Sequence, residues 1–299
     1  MINYLTFDRK TWSNLAKEEI SNLDCDQIEV LGTKISSEEV MAIYAPLAEY
    51  LSFRFKNKLM TQKEESKFLN KTLHTPFIIA ISGSVASGKT VTSLALKQML
   101  EILYPNLNIK RMTTDGFIYS NKELEKRNLM QRKGFPESYN VELLNEFLAN
   151  LISGESDVVY PLYSQEISDI VPNKMGHLHN PDILIIEGIN TLQLPQEGNV
   201  VPSDFFDFSI YIDVDENLLE KWFVARVENL LDLNKNNVGS FYYNLANNYQ
   251  DPMSFVYETW RDVNLANLRQ YIAPTKDRAK MILHKTDNHL IDKIYLRKY

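Results

Sequence analysis

The pattern of apolar and polar positions changes character near residue 76. Ahead of that point, Val40, Ile43, Tyr44, Leu47 and Leu51 recur at the spacing of one helix face. Ser36-Ser37-Glu38-Glu39 just before them has capping-box spacing, with a Ser to cap the first turn and a Glu placed to return the bond. The pattern predicts a long amphipathic helix, with Pro46 as the place for a kink. Met60 to His74 is polar and charged and reads as a surface connection, and Tyr4, Phe7 and Trp12 read as an extended arm and short helix packed on the body. After residue 76 the pattern is strand-like. Phe77 to Ile81, Ile183 to Ile186 and Phe208 to Ile212 are apolar runs too short for most helices, as expected of strands buried on both faces. Asn108 to Thr113, Val158 to Tyr163, Met281 to His284 and Leu290 to Leu296 are further extended segments. Val91 to Leu103, Asn140 to Asn150, a stretch from Glu216 and Trp260 to Ile272 carry helical patterns. Strands and helices in alternation predict an α/β fold, a mostly parallel sheet flanked by helices. We read residues 1–299 as one domain, with 1–75 as a helical N-terminal elaboration and 76–299 as the core.

Composition narrows the function classes. Hydrophobic residues make up 44% of the 299 and charged residues 24%, enough apolar material for a sizeable core. The net charge of −7 argues against broad nucleic-acid binding, which needs a basic face, so an anionic ligand has to be met by a local cationic pocket. The longest apolar runs fall short of a membrane span, and Met1 to Leu15 lacks a basic-then-apolar leader pattern, so a cytoplasmic location is expected. Cys25 stands alone, which rules out an internal disulfide and a multi-Cys metal site.

The strand run Ile78 to Ser82 leads straight into Gly83-Ser84-Val85-Ala86-Ser87-Gly88-Lys89-Thr90 and then a helix. A glycine-bounded loop between a buried strand and a helix is the context in which Gly-x-x-x-x-Gly-Lys-Thr cradles a polyphosphate on backbone amides and the positive end of the helix dipole. Lys89 is placed to reach the β and γ phosphates, and the Thr90 hydroxyl to hold Mg²⁺. The plain alternative is a glycine turn. Two acids end predicted strands on the same pattern. Asp115, in Thr113-Thr114-Asp115-Gly116-Phe117, sits where α/β folds place ligands and catalysts, the other reading being a turn Asp-Gly. Glu187 ends the Ile183 run as a Walker B-like carboxylate that would hold Mg²⁺ or its water. Arg226 lies on the helix from Glu216 and reads either as solvent-facing or as a catalytic cation. Asn121 to Pro136, with Lys122, Lys126, Arg127, Arg132 and Lys133, is either a solvated basic face or a flap over phosphates.

Taken together these motifs resemble the prokaryotic type I pantothenate kinases, over nearly the whole chain. The resemblance rests on Tyr4-Leu5-Thr6-Phe7-Asp8-Arg9, Gly83-Ser84-Val85-Ala86, Thr113 to Phe117, Arg132-Lys133-Gly134-Phe135-Pro136-Glu137-Ser138-Tyr139, Glu187-Gly188-Ile189-Asn190 and Asp207 to Asp213. It implies a P-loop kinase fold, a homodimer, and transfer of the ATP γ-phosphoryl group to a primary hydroxyl of pantothenate. It also implies roles: Asp115 orients the acceptor hydroxyl, Glu187 and Thr90 support Mg²⁺, Lys89 and Arg226 face the transferred phosphoryl group, Asn264 and Tyr163 contact pantothenate, and His289 lies against adenine.

The chain departs from the family pattern on the acceptor side. Gln165 and Ser168 stand where the family has His and Tyr, Phe223 and Phe241 where it has Tyr, and Val227 and Leu230 where it has Phe. Gln165, Phe223 and Phe241 therefore line an expected acceptor pocket of altered shape. Leu94, Gln165 and Leu230 also replace the Arg, His and Phe of members inhibited by coenzyme A, so weak inhibition is expected. The alternatives are a P-loop kinase for another small hydroxylated compound, such as a nucleoside or sugar, and a non-catalytic nucleotide-binding regulator.

Overall fold

Every residue of strand Phe77–Gly83 is buried, and its two faces feed different halves of the core. Ile79 and Ile81 pack with Leu47, Leu51, Leu96 and Met99 on one side, while Ile78 and Ala80 pack with Leu144, Phe147 and Leu148 on the other. The neighbouring strand Ile183–Glu187 divides in the same way, Ile183 and Ile185 against Leu184 and Ile186. This two-sided burial is why these strands read as unbroken apolar runs rather than alternating ones. The computed structural model describes residues 2–16, 29–30, 33–72, 74–194 and 200–299. Cys25 lies outside them.

The main sheet has seven strands in the order Tyr4–Asp8, Ile291–Arg297, Met281–Lys285, Phe208–Val214, Phe77–Gly83, Ile183–Glu187, Ile109–Thr113. Pairings from Met281–Lys285 through to Ile109–Thr113 are parallel, and Ile291–Arg297 runs antiparallel to both of its neighbours. The mostly parallel, helix-flanked sheet expected from the sequence is therefore present. A separate antiparallel hairpin, Asp157–Ser164 with Asp169–His179, stands beside it. Among the described residues no helix is long and apolar enough to cross a membrane.

Two expectations near the N-terminus need correction. Met60 to His74 is not a loop: helix Ala45–Leu69 runs through most of it and stops only at Asn70, in the left-handed conformation at φ 50°. Polarity suggested a connection, but Lys, Glu, Gln, Met and Leu all favour helix, and an exposed helix can be polar all round. The capping box is half formed. Ser36 does accept from the Glu39 amide at 3.1 Å, but the Glu39 side chain is diverted. It is 5% exposed, pairs with Arg9 and accepts from the backbone N–H of Ile291 at 3.1 Å. The helix geometry then widens to a π-turn at Val40–Tyr44 just ahead of Pro46, which has no N–H to continue the ladder.

Glu39 thus joins the N-terminal strand-helix turn, the long helix and the last strand of the sheet. Glu39→Ala leaves the buried Ile291 N–H without its acceptor and takes from Arg9 its buried carboxylate partner, and we expect a loss of about 2–4 kcal/mol. Urea unfolding followed by Trp fluorescence checks this, and an unchanged midpoint would contradict it.

Candidate active site

The loop Ser84–Gly88 turns the end of strand Phe77–Gly83 into helix Lys89–Leu103. Gly88 caps that helix at φ 90°, a conformation that favours glycine, and the Nζ of Lys285 lies 2.5 Å from where a Cβ would sit. Ala86 is also left-handed, at φ 63°, a conformation that non-glycine residues adopt at some energetic cost and that clusters at ligand sites. The Oγ atoms of Ser84 and Ser87 are buried without a hydrogen-bond partner among the described residues. Together with the free amides of the first helical turn they make a concave set of donors, the chemistry an anion such as a polyphosphate satisfies. Lys89 folds back over the loop and donates to the Ser84 carbonyl at 2.8 Å.

Glu187, at the carboxyl end of its strand, is 4% exposed and cannot reach bulk water. The Thr90 hydroxyl donates to its Oε1 at 2.7 Å, and Arg111 approaches the same oxygen at 3.3 Å while its Nε donates to the Ser93 Oγ at 2.9 Å. Thr90 and Glu187 offer a hydroxyl and a carboxylate side by side at the helix mouth. An all-oxygen donor set of this kind fits a hard cation such as Mg²⁺. The next residue, Gly188, has no room for a side chain, because a Cβ would lie 1.8 Å from the Thr114 Oγ1. That close approach presses the Glu187 strand end against the turn Thr114–Phe117, which carries Asp115.

Asp115 is the other acid of the site. Burial raises its pKa most, the Glu187 charge raises it further, and Lys89, a hydrogen bond from Thr113 and the Arg226 charge pull it back down. Lys89 shows the mirror image: burial lowers its pKa, Glu187 and Asp115 raise it, and Arg226 lowers it. Arg226 is exposed on helix Glu216–Leu233 and its guanidinium makes no hydrogen bond or ion pair among the described residues, yet its charge is felt at Lys89, Asp115 and Tyr242. It is a free guanidinium facing the two groups that would handle a transferring phosphate.

The hairpin turn reaches Asp115 from the other side of the cleft. Gln165 donates from Nε2 to the Asp115 Oδ2 at 3.3 Å. The Tyr163 hydroxyl lies 3.1 Å from the Ser168 Oγ, and burial pushes its pKa up to about 12. Several contributors were not singled out for this site from the sequence. Lys133 donates to the Ser168 carbonyl and, at 2.8 Å, to the Asn121 Oδ1, pinning the turn to helix Asn121–Lys126; the basic flap over phosphates is thus, at Lys133, a strut. Tyr139 has a buried hydroxyl without a partner among the described residues, and burial and the Asp115 charge hold its pKa high. Lys285 is 3% exposed behind Gly88, and burial lowers its pKa to about 8. Tyr139 and Lys133 both lie in Arg132 to Tyr139, so that motif was their signal; Lys285 had none.

The remaining expected residues are spread around the cleft. His289, left-handed at φ 61°, stacks on Trp222 with ring centroids 3.9 Å apart, making a flat aromatic surface close to Lys285. Phe223 packs 5.7 Å from the Trp260 ring, and Phe241 is 37% exposed beside Tyr242 with its amide donating to the Glu166 carbonyl. Asn264 is half-buried in the π-turn Thr259–Leu265, its side chain without a hydrogen bond among the described residues, whereas the Asn267 side chain donates to the Gly134 carbonyl at 2.8 Å. A cavity of about 410 Å³, lined by Arg54, Lys58, Gln62 and Asp207, lies at the opposite end of the strands and touches none of these groups.

The Phosphoribulokinase / Uridine kinase family profile matches residues 78–229. The pantothenate kinase of Lacticaseibacillus casei (strain BL23) is 43% identical over 304 residues, spanning 100% of this chain and 99% of the relative. That of Lactococcus lactis subsp. lactis (strain IL1403) is 45% identical over 303 residues, with the same coverage of 100% and 99%. The D-glycerate 3-kinase of Cryptococcus neoformans var. grubii superposes with a TM-score of 0.57 at 15% identity, over 82% of this chain and 97% of that one, a likeness of fold alone.

The raised pKa of Asp115 has a consequence for stability. A carboxyl that binds its proton more tightly when folded adds stability below its unfolded pKa and loses it as pH rises through the folded value. Asn mimics the protonated form. Asp115→Asn without nucleotide should therefore melt above the wild-type protein near pH 7.5, with the gap closing as pH falls into the ordinary carboxylate range. A lower melting temperature for the variant at pH 7.5 would reverse the sign of the argument.

Proposed function

The chain belongs to the pantothenate kinase family and to the wider Phosphoribulokinase / Uridine kinase family, and on that premise we propose that it phosphorylates pantothenate. The γ-phosphoryl group of ATP moves to the primary hydroxyl, giving 4′-phosphopantothenate, the first step of coenzyme A synthesis. The observation that carries this reading is the position of Asp115, electrostatically coupled to Lys89 and Arg226 and open to the hairpin side.

In this reading the pantothenate hydroxyl takes the place of the Gln165 amide at the Asp115 carboxylate. Asp115 accepts the hydroxyl hydrogen bond and aligns the oxygen with the γ-phosphorus; the new O–P bond forms as the bond to the β-phosphate oxygen breaks, the hydroxyl proton passes to the Asp115 carboxylate, and ADP leaves. Lys89 swings from the Ser84 carbonyl to the β and γ phosphates. Arg226 offsets charge on the transferring group, which has a planar, three-oxygen periphery suited to a guanidinium. Thr90 and Glu187 would hold Mg²⁺, which supplies charge neutralisation between the β and γ phosphates. The His289 and Trp222 surface would receive the adenine, and Tyr163, Phe223, Phe241 and Asn264 the pantothenate chain.

We infer weak control by coenzyme A. Leu94 packs against the core and cannot meet a phosphate, and Gln165 is neutral and already engaged with Asp115. Each missing charge-assisted hydrogen bond removes roughly 1.5–3 kcal/mol, so two weaken binding by about two or more orders of magnitude. We also read residues 1–299 as one kinase domain acting in the cytoplasm as a homodimer. The exposed Leu59, Met60 and Phe68 on helix Ala45–Leu69 support the pairing.

ADP formation measured against pantothenate, its N-alkyl amides, nucleosides and sugars tests the substrate. Pantothenate should have the highest kcat/KM, and a nucleoside or sugar ahead of it would transfer the reading to another hydroxylated acceptor. Lys89→Ala should lower kcat by roughly 10²–10³-fold. Rates at sub-saturating ATP should hardly fall with rising coenzyme A, and micromolar inhibition competitive with ATP would refute the regulatory inference.

A further inference from the structure

The hairpin that brings Gln165 and Ser168 to the cleft has a second polar cluster at its open end. Val158 and Leu178 turn inward, 3% and 2% exposed, so Asp157, His177 and His179 share the outer face. Asp157 lies directly opposite His179 in the register, and His177 opposite Val159. The Asp157 carboxylate bridges the two rings, with Oδ2 3.0 Å from the His177 Nδ1 and Oδ1 3.1 Å from the His179 Nδ1. The rings are nearly parallel, with centroids 5.9 Å apart and planes at 14°. Among the described residues no Lys or Arg pairs with Asp157, so nothing but these imidazoles answers its charge. The strand end beneath them is fixed. Asn108 donates from Nδ2 to the His179 and Asn180 carbonyls at 2.6 and 3.0 Å, tying the hairpin to the edge of the main sheet.

We propose that Asp157, His177 and His179 form a binding site for a divalent transition-metal ion of borderline softness, Zn²⁺ being the type case. One ligand atom from each lies within 4.8 Å of the others. A tetrahedral Zn²⁺ with bonds of about 2.0–2.1 Å holds its ligand atoms roughly 3.3 Å apart. Taken from the single oxygen Oδ1 of Asp157, the Nδ1 atoms of His177 and His179 lie 3.3 and 3.1 Å away and match that spacing, and the two imidazole atoms already lie within 4.8 Å of each other. Two imidazole nitrogens select Zn²⁺, Co²⁺ or Ni²⁺ over Mg²⁺, which prefers oxygen, so this site and the Thr90–Glu187 pair take different ions. The bound ion replaces the direct Asp–His contacts of the bridge, completes its coordination with water, and cross-links the two strands at the end of the hairpin away from the cleft.

The test uses the full chain freed of metal by chelation and held in excess Mg²⁺. Calorimetric titration with Zn²⁺ should give one site per chain, and Co²⁺ should give a visible d–d spectrum at the same stoichiometry. In His177→Ala/His179→Ala, circular dichroism should be unchanged, since both rings are exposed. Its Zn²⁺ affinity should fall at least tenfold, the Co²⁺ spectrum should vanish, and the metal-induced rise in melting temperature seen with the wild type should disappear. Absence of Zn²⁺ binding by the wild type would overturn the proposal, and so would equal binding by the double variant.

Discussion

A carboxylate that cannot reach water governs the organisation of this molecule. Glu187 ends a strand packed on both faces, and burial of an unpaired charge there would cost several kcal/mol. Its partners come from separate elements: Thr90 from the first turn of the loop helix, and Arg111 from the neighbouring strand. Satisfying this one group therefore fixes the mutual position of the phosphate loop, two adjacent strands and the turn that follows. The same charge raises the pKa of both Asp115 and Lys89, and burial pushes those two groups in opposite senses. An acid that resists ionisation and a lysine that sheds its proton more readily are thus products of the fold before any nucleotide arrives.

Much of this was legible in the chain, and for a physical reason. A strand buried on both faces must be apolar throughout, and a polyphosphate loop must have glycines where the backbone leaves the normal regions, so Phe77–Gly83, Ile183–Glu187 and Gly88 announce themselves. Helix Ala45–Leu69 did so only over its first half, because its second half is exposed on most sides and lacks an apolar stripe to set a period. Strand Asp169–His179 was missed for the opposite reason: Pro172, Asn173 and Gly176 break its pattern, and pairing with the apolar Asp157–Ser164 segment rescues it. Tyr139 and Lys285 take their character from burial beside charges contributed by distant segments, which no local pattern records.

The two ends of the cleft have different histories in the sequence. At the mouth of the loop helix, Thr90 and Glu187 are hydrogen-bonded, and the charges of Glu187 and Arg226 act on Lys89. On the acceptor side, Ser168 is left-handed at φ 50°, where a small polar residue can turn the hairpin, and its carbonyl and hydroxyl engage Lys133 and Tyr163. Gln165 meanwhile supplies a neutral amide to Asp115, where a histidine would have brought an ionisable ring. Ser168 thus ties the turn to Lys133, and Gln165 places an amide at the Asp115 carboxylate from the hairpin side.

The central claim is that Asp115 orients the acceptor hydroxyl while Lys89 and the loop hold the nucleotide. Single-turnover transfer of labelled γ-phosphate from bound ATP to saturating pantothenate, in wild type and Asp115→Asn, tests it most directly. The account predicts a rate lower by roughly 10²–10⁴-fold in the variant, the usual contribution of a positioned acid–base group, with ATP affinity nearly unchanged. A transfer rate close to wild type, with ATP still bound, would contradict it.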